Sequence, residues 1–138
     1  MVYSINRPPC CANATADPAE LWPPNHKMVP INIVGLTDPD GDPITITITG
    51  ITSDEPTASA KGAGGAKHSP DADGVGTATP SVRAERSGKG NGRVYEISFT
   101  ASDGRGGECQ GSVTVGVPHD QSDGYIDDGQ AYDATVPN

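Results

Sequence analysis

Residues 44–49 read Ile-Thr-Ile-Thr-Ile-Thr, and this strict alternation limits the folds open to the chain more than any other feature. Successive side chains of a β-strand point to opposite faces of a sheet, so the isoleucines share one face and the threonines share the other. The segment is also rich in β-branched residues, which are common in strands. The pattern therefore predicts a β-strand over residues 44–52.

Further segments show the same period of two or a similar β-branched composition, whereas no stretch has convincing helical periodicity. Turn-rich stretches, such as Ser-Gly-Lys-Gly-Asn-Gly at 87–92, separate these segments. The predicted strands lie at 11–17, 27–36, 44–52, 80–86, 93–102 and 108–117. Six or seven short strands joined by turns predict an all-β fold, a Greek-key β-sandwich of two antiparallel sheets with about seven strands.

The same patterns predict which charged residues lie outside the core. In the strand that begins at Arg93, the side chains of residues 95, 97, 99 and 101 face inward, and Arg93 itself is expected to stay outside. The Gly- and Ala-rich stretch 56–79 is expected to form a long surface loop with a short strand near Val75. Asp71 and Asp73 in this loop are expected to be solvated.

Length and composition predict one domain with irregular ends. The chain of 138 residues suits a single domain with a modest core, while 18 Gly and 13 Pro indicate many turns and loops. We expect an N-terminal extension over residues 1–9 and a β-sandwich module over 10–118. An acidic, irregular tail is expected over 119–138.

The charge balance and the short apolar segments argue against nucleic acid and membranes as partners. Nine basic and 18 acidic residues give a formal net charge of −9. Nucleic acid is not expected as a partner, because no basic stripe is present to meet phosphates. No segment approaches the roughly 18 to 20 continuous apolar residues of a membrane-spanning helix, so membrane insertion is not expected either. An acidic surface favours solubility and cation binding instead.

The run Asp38-Pro39-Asp40-Gly41-Asp42 lies between two predicted strands and is a candidate metal site. Three carboxylates at alternate positions repel one another, because each like charge nearby raises the cost of ionising the others. Carboxylates and loop carbonyls suit calcium, and Gly41 permits the tight turn that would bring them inward. The alternative is a plain acidic turn, since Asp, Pro and Gly are also ordinary turn residues.

A fourth carboxylate, that of Asp103, is predicted at the same end of the sandwich. In a Greek-key sandwich, the loop between the second and third predicted strands and the loop between the last two strands emerge at one end. Asp103 lies in the latter loop, within Ser-Asp-Gly-Arg-Gly-Gly. Calcium takes six to eight oxygens, which four carboxylates with carbonyls and water could supply. The convergence of two loops favours a calcium site over turn chemistry alone.

Several motifs resemble those of one class of bacterial module. The sequences DPDGDPITITIT (38–49) and FTASDGRGGECQGSVTV (99–115) are similar to the cadherin-like and Ig-like modules of bacterial secreted and cell-surface proteins. LWPPNHKMVPI (21–31), VPHDQ (117–121) and DDGQAYDAT (127–135) are similar to a recurring extracellular version of that module. The resemblance implies an Ig-like or cadherin-like fold, an extracellular or cell-surface location, and calcium ligation by Asp38, Asp40, Asp42 and Asp103. Such modules serve as spacers, adhesins and accessory domains, so the resemblance does not fix a function.

A second polar cluster is predicted at the other end of the sandwich. Its members come from three connections and comprise His26, Asp54, Glu55, His119 and Asp120. One interpretation is a second cation site, or a ligand patch with Trp22 as its platform. The alternative is that Trp22 plugs the open end of the core while the polar groups cap loop backbones. The second interpretation is favoured, because Trp22 is the only tryptophan and a small core needs its area.

Three cysteines, Cys10, Cys11 and Cys109, predict one disulfide and one remaining thiol. In Ig-like sandwiches the first strand runs beside the last, which places Cys10 and Cys11 near Cys109. The disulfide joins Cys109 to Cys11 or to Cys10, and it fits an extracellular location. Zinc binding is a further alternative, although the adjacent pair lacks the usual two-residue gap.

The sequence favours a binding or structural role over catalysis. It has neither a Gly-x-Ser-x-Gly elbow nor a phosphate loop, and its histidines have no evident nucleophile partner. The first hypothesis is a calcium-stabilised structural or adhesive module with protein partners, or a filament protomer whose residues 1–9 add a strand to a neighbouring copy. The second is a carbohydrate-binding accessory module, for which the chain offers few aromatic side chains.

Overall fold

The computed structural model describes residues 5–56, 70–87, 90–120 and 124–136. Part of the predicted donor strand at 1–9, most of the predicted loop at 56–79 and parts of the tail at 119–138 therefore lie outside the described residues. All regular elements of the described ranges are strands, which confirms the all-β prediction. No helix within these ranges is long and apolar enough to cross a membrane. The strands are β1 (Thr15–Asp17), β2 (Met28–Pro30), β3 (Asn32–Val34), β4 (Thr45–Ser53), β5 (Ala72–Asp73), β6 (Ser81–Arg83), β7 (Arg93–Ser102), β8 (Glu108–Val117) and β9 (Tyr132–Asp133).

The largest sheet has the strand order β8-β7-β4-β9, with every neighbouring pair antiparallel. Strands β7 and β8 have the bounds that the sequence predicts, and β4 is displaced by one residue from the predicted 44–52. These three strands carry the clearest alternation in the sequence, because each has one face in the core and one in solvent.

A β-bulge in β4 explains why the Ile-Thr alternation stops at Gly50. The register between β4 and β7 shifts between Ile48 and Gly50. Ile48 and Ile51 are three positions apart, and each is only 1% exposed. An extra residue in one strand changes which side chains face inward. The bulge therefore keeps both isoleucines in the core.

The predicted strand 27–36 divides into two strands that belong to different sheets. Strand β2 pairs with β6 in the sheet β2-β6-β5, and β3 pairs with β1 in a two-stranded sheet. The division falls at Pro30, which has no backbone N–H to continue a ladder. Ile31 follows it, fully buried, and donates its N–H to the carbonyl of Pro80 at 2.8 Å.

Side chains from the sheets meet in one hydrophobic core. The large sheet contributes Ile48, Ile51, Tyr95, Ile97, Phe99, Val113 and Val115, and the facing segments contribute Leu21, Ile31, Val82 and Ala84. This packing of sheet against sheet is that of a β-sandwich. It leaves the turns between strands at its two ends, where the candidate sites lie.

The C-terminal segment adds a strand and joins the sheets. Strand β9 pairs with the end of β4, and the buried Ala134 follows it. The N–H of Ala134 donates to Ile51 at 3.0 Å, and its carbonyl accepts from the N–H of Asp71 at 2.9 Å. Asp71 directly precedes β5, which ends two residues before Val75, the position near which the sequence predicts a short strand.

Candidate metal centre

The loop between β3 and β4 brings three carboxylates together. Each of Asp38, Asp40 and Asp42 offers one oxygen, and these oxygens lie within 4.8 Å of one another. The loop folds around Asp38, whose Oδ1 accepts the N–H of Asp40 at 2.8 Å and that of Asp42 at 3.2 Å. Gly41 completes the turn with φ at 76°, a conformation that favours glycine, and donates its N–H to the Asp38 carbonyl at 3.1 Å.

Asp38, Asp40 and Asp42 form an acid cluster, in which two oxygens are buried without a hydrogen-bond partner among the described residues. They are Oδ2 of Asp38 and Oδ2 of Asp42. A buried carboxylate oxygen without a partner costs free energy, and a cation would remove that cost. Oxygens from carboxylates and nearby carbonyls are the ligands that hard cations such as calcium prefer. The donor set of Asp38, Asp40 and Asp42 therefore fits such an ion.

Two arginines lie against the acid cluster. Arg7 donates from Nε and Nη2 to Oδ1 of Asp40 at 2.9 and 2.8 Å, and from its backbone N–H to Oδ2 at 2.7 Å. These contacts, led by the backbone N–H of Arg7, lower the pKa of Asp40. Arg105 approaches Oδ1 of Asp42 at 3.3 Å from the loop between β7 and β8. The two loops therefore meet at one end of the sandwich, as the sequence predicts.

Asp103 organises the second loop at this end. It is 4% exposed, and its Oδ1 accepts the N–H groups of Arg105 at 2.8 Å and Gly107 at 3.0 Å. The side chain of Asn6 donates to Oδ2 at 2.7 Å and, as the largest cause, lowers the pKa of Asp103. A Cβ at Gly107 would lie 2.3 Å from that Oδ2. Asp103 is outside the described three-carboxylate group, and its calcium ligation stays a prediction.

The other end of the sandwich contains a buried ionic network centred on Arg93. The side chain of Arg93 has no exposed surface and contacts the fully buried carboxylate of Asp71. Its Nε donates to Glu55 at 3.2 Å, and its Nη1 donates to the Tyr95 hydroxyl at 3.1 Å. The expectations that Arg93 lies outside the core and that Asp71 is solvated are therefore wrong. Each charge is buried because the other compensates it.

The network holds both ends of the stretch 57–69, which lies outside the described residues. Nη2 of Arg93 donates to the Pro56 carbonyl at 3.2 Å, and Nη2 of Arg83 donates to the Pro70 carbonyl at 2.9 Å. Arg83 also contacts Oδ1 of Asp71 at 3.1 Å. Residues on both sides of the stretch are thus fixed to one ionic group.

Glu85 is the most perturbed carboxyl of this network. Its side chain is fully buried, and Oε2 lies 2.7 Å from Nδ1 of His26. Burial, and next the charge of Asp71, raise the pKa of Glu85 to about 8, although Arg93 and Arg83 act in the opposite direction. The raised pKa favours the protonated form of Glu85, whose Oε2 shares a hydrogen bond with Nδ1 of His26.

The predicted second cluster is distributed over separate contacts. His26 and Glu55 join the ionic network, whereas Asp54 accepts the N–H of Val94 at 2.9 Å and that of Asp128 at 3.2 Å. His119 lies 3.4 Å from Asp120, and its carbonyl accepts from Arg86 at 2.9 Å. Asp54 thus accepts backbone N–H groups of β7 and of the C-terminal segment, and a cation site at this end stays a prediction.

Trp22 does not plug the core. It keeps 38% of its surface exposed, whereas the neighbouring Leu21 is 4% exposed and belongs to the core. The peptide bond between Trp22 and Pro23 is cis. Trp22 instead lines an open cavity of about 380 Å³ together with Met28. The prediction that the single tryptophan fills the core is wrong.

A disulfide joins Cys11 to Cys109, which settles which of the two adjacent cysteines pairs. Their Cα atoms are 6.0 Å apart. This bond links the segment before β1 to β8 and confirms the predicted disulfide. Cys10 is a free, exposed thiol, and its backbone N–H donates to the Thr37 carbonyl at 2.7 Å.

Comparison with known families agrees with this architecture. A sequence model of the bacterial Ig domain family matches residues 6–116 of the chain. The match covers β1 to β7 and all of β8 except its last residue. Comparison with curated proteins and with solved structures gives no match. The Ig-like prediction is thereby confirmed, and the chain belongs to the bacterial Ig domain family.

Proposed function

We propose that the chain is a calcium-stabilised, non-catalytic structural or adhesive module of an extracellular or cell-surface assembly. Bacterial Ig domains commonly occur in surface or extracellular proteins, are typically non-catalytic, and suggest a structural or adhesive role. The single observation that carries the calcium part is the acid cluster, in which buried Oδ2 atoms of Asp38 and Asp42 have no described partner.

Calcium would be held by Asp38, Asp40 and Asp42, with Asp103 as the additional predicted ligand. The ion would supply positive charge to oxygens that otherwise repel one another. It would also fix the loop that leads from β3 into β4, one of the two inner strands of the large sheet. This role is mechanical and needs no reacting group.

A comparison of melting temperatures with calcium and with chelator tests the proposal. Calcium binds only the folded state, so we expect it to raise the melting temperature of the wild type. Asp42→Asn should abolish that increase. Asp17→Asn is a matched control, because Asp17 is exposed and pairs with Asn32, at the end of β3 away from the acid cluster. An identical melting temperature with calcium and with chelator in the wild type would exclude calcium stabilisation.

Self-association is the second part of the proposal. Cys10 is exposed and has no disulfide partner, so its thiol can join two copies of the chain. Residues before it would add a strand to a neighbouring sheet. Polymers that persist until reductant is added, and that Cys10→Ser prevents, would support the filament form. Monomers under oxidising conditions would contradict it.

The alternative is a carbohydrate-binding accessory module, which the exposure of Trp22 favours. Exposed aromatic rings present a flat apolar face to a sugar, and Trp22 lies beside an open cavity. A glycan array with the wild type and Trp22→Ala tests this function. A signal that Trp22→Ala removes would favour glycan binding, and the absence of any signal would leave the structural role as the better explanation.

A further inference from the structure

The N-terminal residues Asn6 and Arg7 lie against both acidic loops at once. Arg7 binds Asp40 in the loop between β3 and β4 through three N–H groups. Asn6 donates to Asp103 in the loop between β7 and β8. The chain is thus attached here to the same residues that the sequence predicts as calcium ligands.

Arg7 takes up the oxygens that a bound ion would need. Both carboxylate oxygens of Asp40 accept from Arg7, and the Pro39 carbonyl also accepts from its Nη2 at 2.9 Å. The guanidinium is therefore a positive charge already in place at the acid cluster. The guanidinium donates no hydrogen bond to Oδ2 of Asp38 or Oδ2 of Asp42, and these oxygens have no partner among the described residues.

The contact between Arg7 and Asp40 is exposed enough for another cation to replace Arg7. The side chain of Arg7 is 61% exposed, and that of Asp40 is 27% exposed. Ion pairs at such positions contribute little to stability, because water and salt screen them. A cavity of about 460 Å³ opens beside Arg7, Asp40, Asp42 and Arg105. The cavity gives an ion and its waters a route to the carboxylates.

We propose that Arg7 is a built-in counter-ion that calcium displaces from Asp40, so that calcium binding and release of residues 5–7 are coupled. This inference rests on the proposed calcium site. The chain stays attached beyond this point, because Cys10 donates to Thr37 and Cys11 is bonded to Cys109. Calcium would therefore change the freedom of the segment before Cys10 while the sandwich keeps its form.

Coupling of this kind is reciprocal. If Arg7 weakens calcium binding by a given factor, calcium weakens the contact between Arg7 and Asp40 by the same factor. For an exposed pair with a charge-assisted contact, we expect a factor of about three to ten. Arg7→Gln should raise calcium affinity by that amount.

The test combines titration calorimetry with calcium chloride and NMR of the Arg7 backbone and Nε–H groups. The charge-matched control is Arg86→Gln, because Arg86 contacts the His119 carbonyl and not the acid cluster. We expect Arg7→Gln to bind calcium about three- to tenfold more tightly than both the wild type and Arg86→Gln. In the wild type, calcium should shift the Arg7 signals to those of an unbonded arginine.

Each outcome decides between the two proposals. Equal calcium affinity in all three proteins, with unchanged Arg7 signals, would overturn the coupling and leave the calcium site intact. No calcium binding by the wild type or by Arg7→Gln would overturn both proposals. Binding by Arg7→Gln alone would support the coupling in its strongest form.

Discussion

Arg93 and Asp71 contact each other directly, and neither side chain has any exposed surface. The pair joins β7 of the large sheet to the residue before β5 of the facing sheet. Glu55, Glu85 and Tyr95 surround it. Arg83 also contacts Asp71, so removal of Arg93 leaves Asp71 with one arginine in place of two and takes the described arginine partner from Glu55. Such a loss of charge compensation in the interior costs far more than the pair itself contributes.

Arg93→Met should therefore lower the free energy of unfolding by about 3 to 5 kcal/mol. Arg86→Gln, which removes a partly buried arginine outside this network, should cost about 1 kcal/mol or less. Urea unfolding monitored by circular dichroism gives both values. Equal effects of the two substitutions would show that the buried network does not hold the sheets together.

The raised pKa of Glu85 predicts that the free energy of unfolding falls as pH rises through neutrality. Its pKa is about 8 in the folded chain against an ordinary 4.5, so between these values only the folded state holds the proton. Unfolding then releases a proton, and the free energy of unfolding decreases by up to about 1.4 kcal/mol per pH unit. Carboxyls with a lowered pKa, such as Asp40 and Asp103, change the free energy of unfolding only at more acidic pH. They therefore add no slope between pH 5 and 8.

Urea unfolding at pH 5, 6, 7 and 8 measures this slope. Asp71, Arg93, Arg83 and His26 face the carboxyl, and each stays in place in Glu85→Gln. That variant should have a clearly smaller slope, and the part that stays belongs to groups such as Asp54, whose pKa is also raised by burial. Glu108→Gln, at an exposed position, should keep the wild-type slope. A wild type whose stability is constant from pH 5 to 8 would contradict the assignment.

Cys109→Ser should lower the free energy of unfolding by about 2 to 5 kcal/mol, because the disulfide with Cys11 closes a long loop and restricts the unfolded chain. Cys10→Ser removes an exposed free thiol and should leave stability unchanged. Guanidinium unfolding without reductant compares the two. If Cys10→Ser proved the more damaging, the pairing of Cys11 with Cys109 would be wrong.

Gly107→Ala should destabilise the end of the sandwich that carries the acid cluster. The added Cβ would lie 2.3 Å from Oδ2 of Asp103 and 3.0 Å from Cα of Pro8, so the carboxylate and the N-terminal segment must move. We expect a cost of about 1 to 3 kcal/mol in thermal unfolding. Gly124→Ala is the matched control, because no atom of the residues that the structure describes lies within 4 Å of its added Cβ. A neutral Gly107→Ala would show that this contact is easily relaxed.

The sequence predicts the long strands well because each has a repeating pattern that local chemistry determines. Strands β7 and β8 have the predicted bounds, and the loops of Asp42 and Asp103 meet as the Greek-key topology requires. The strand predicted at 27–36 contains a Pro, and the change of sheet at this point depends on partners far away in sequence.

The buried network could not be found in the same way. Arg93 continues the inward-facing set of β7, but a charge at such a position is acceptable only if a distant carboxylate compensates it. Its partner, Asp71, lies in a Gly-rich stretch without a pattern. Strand β9 has only two residues, too few for alternation to be recognised. These features depend on long-range contacts that a local pattern does not encode.

The position of the disulfide determines how the domain would transmit a pulling force. Cys11 lies before β1 and Cys109 lies in β8, 98 positions apart in the sequence. Tension applied to the segment before Cys11 would pass through the sulfur atoms directly into β8. All residues between the two cysteines, including β4 and β7, would lie outside the load path. Stretching could therefore extend only the segment before Cys11 and the segment after Cys109, and the latter contains most of β8 with the core residues Val113, Val115 and Val117. The disulfide would thus keep the load off β4 and β7, and the remainder of β8 would carry it.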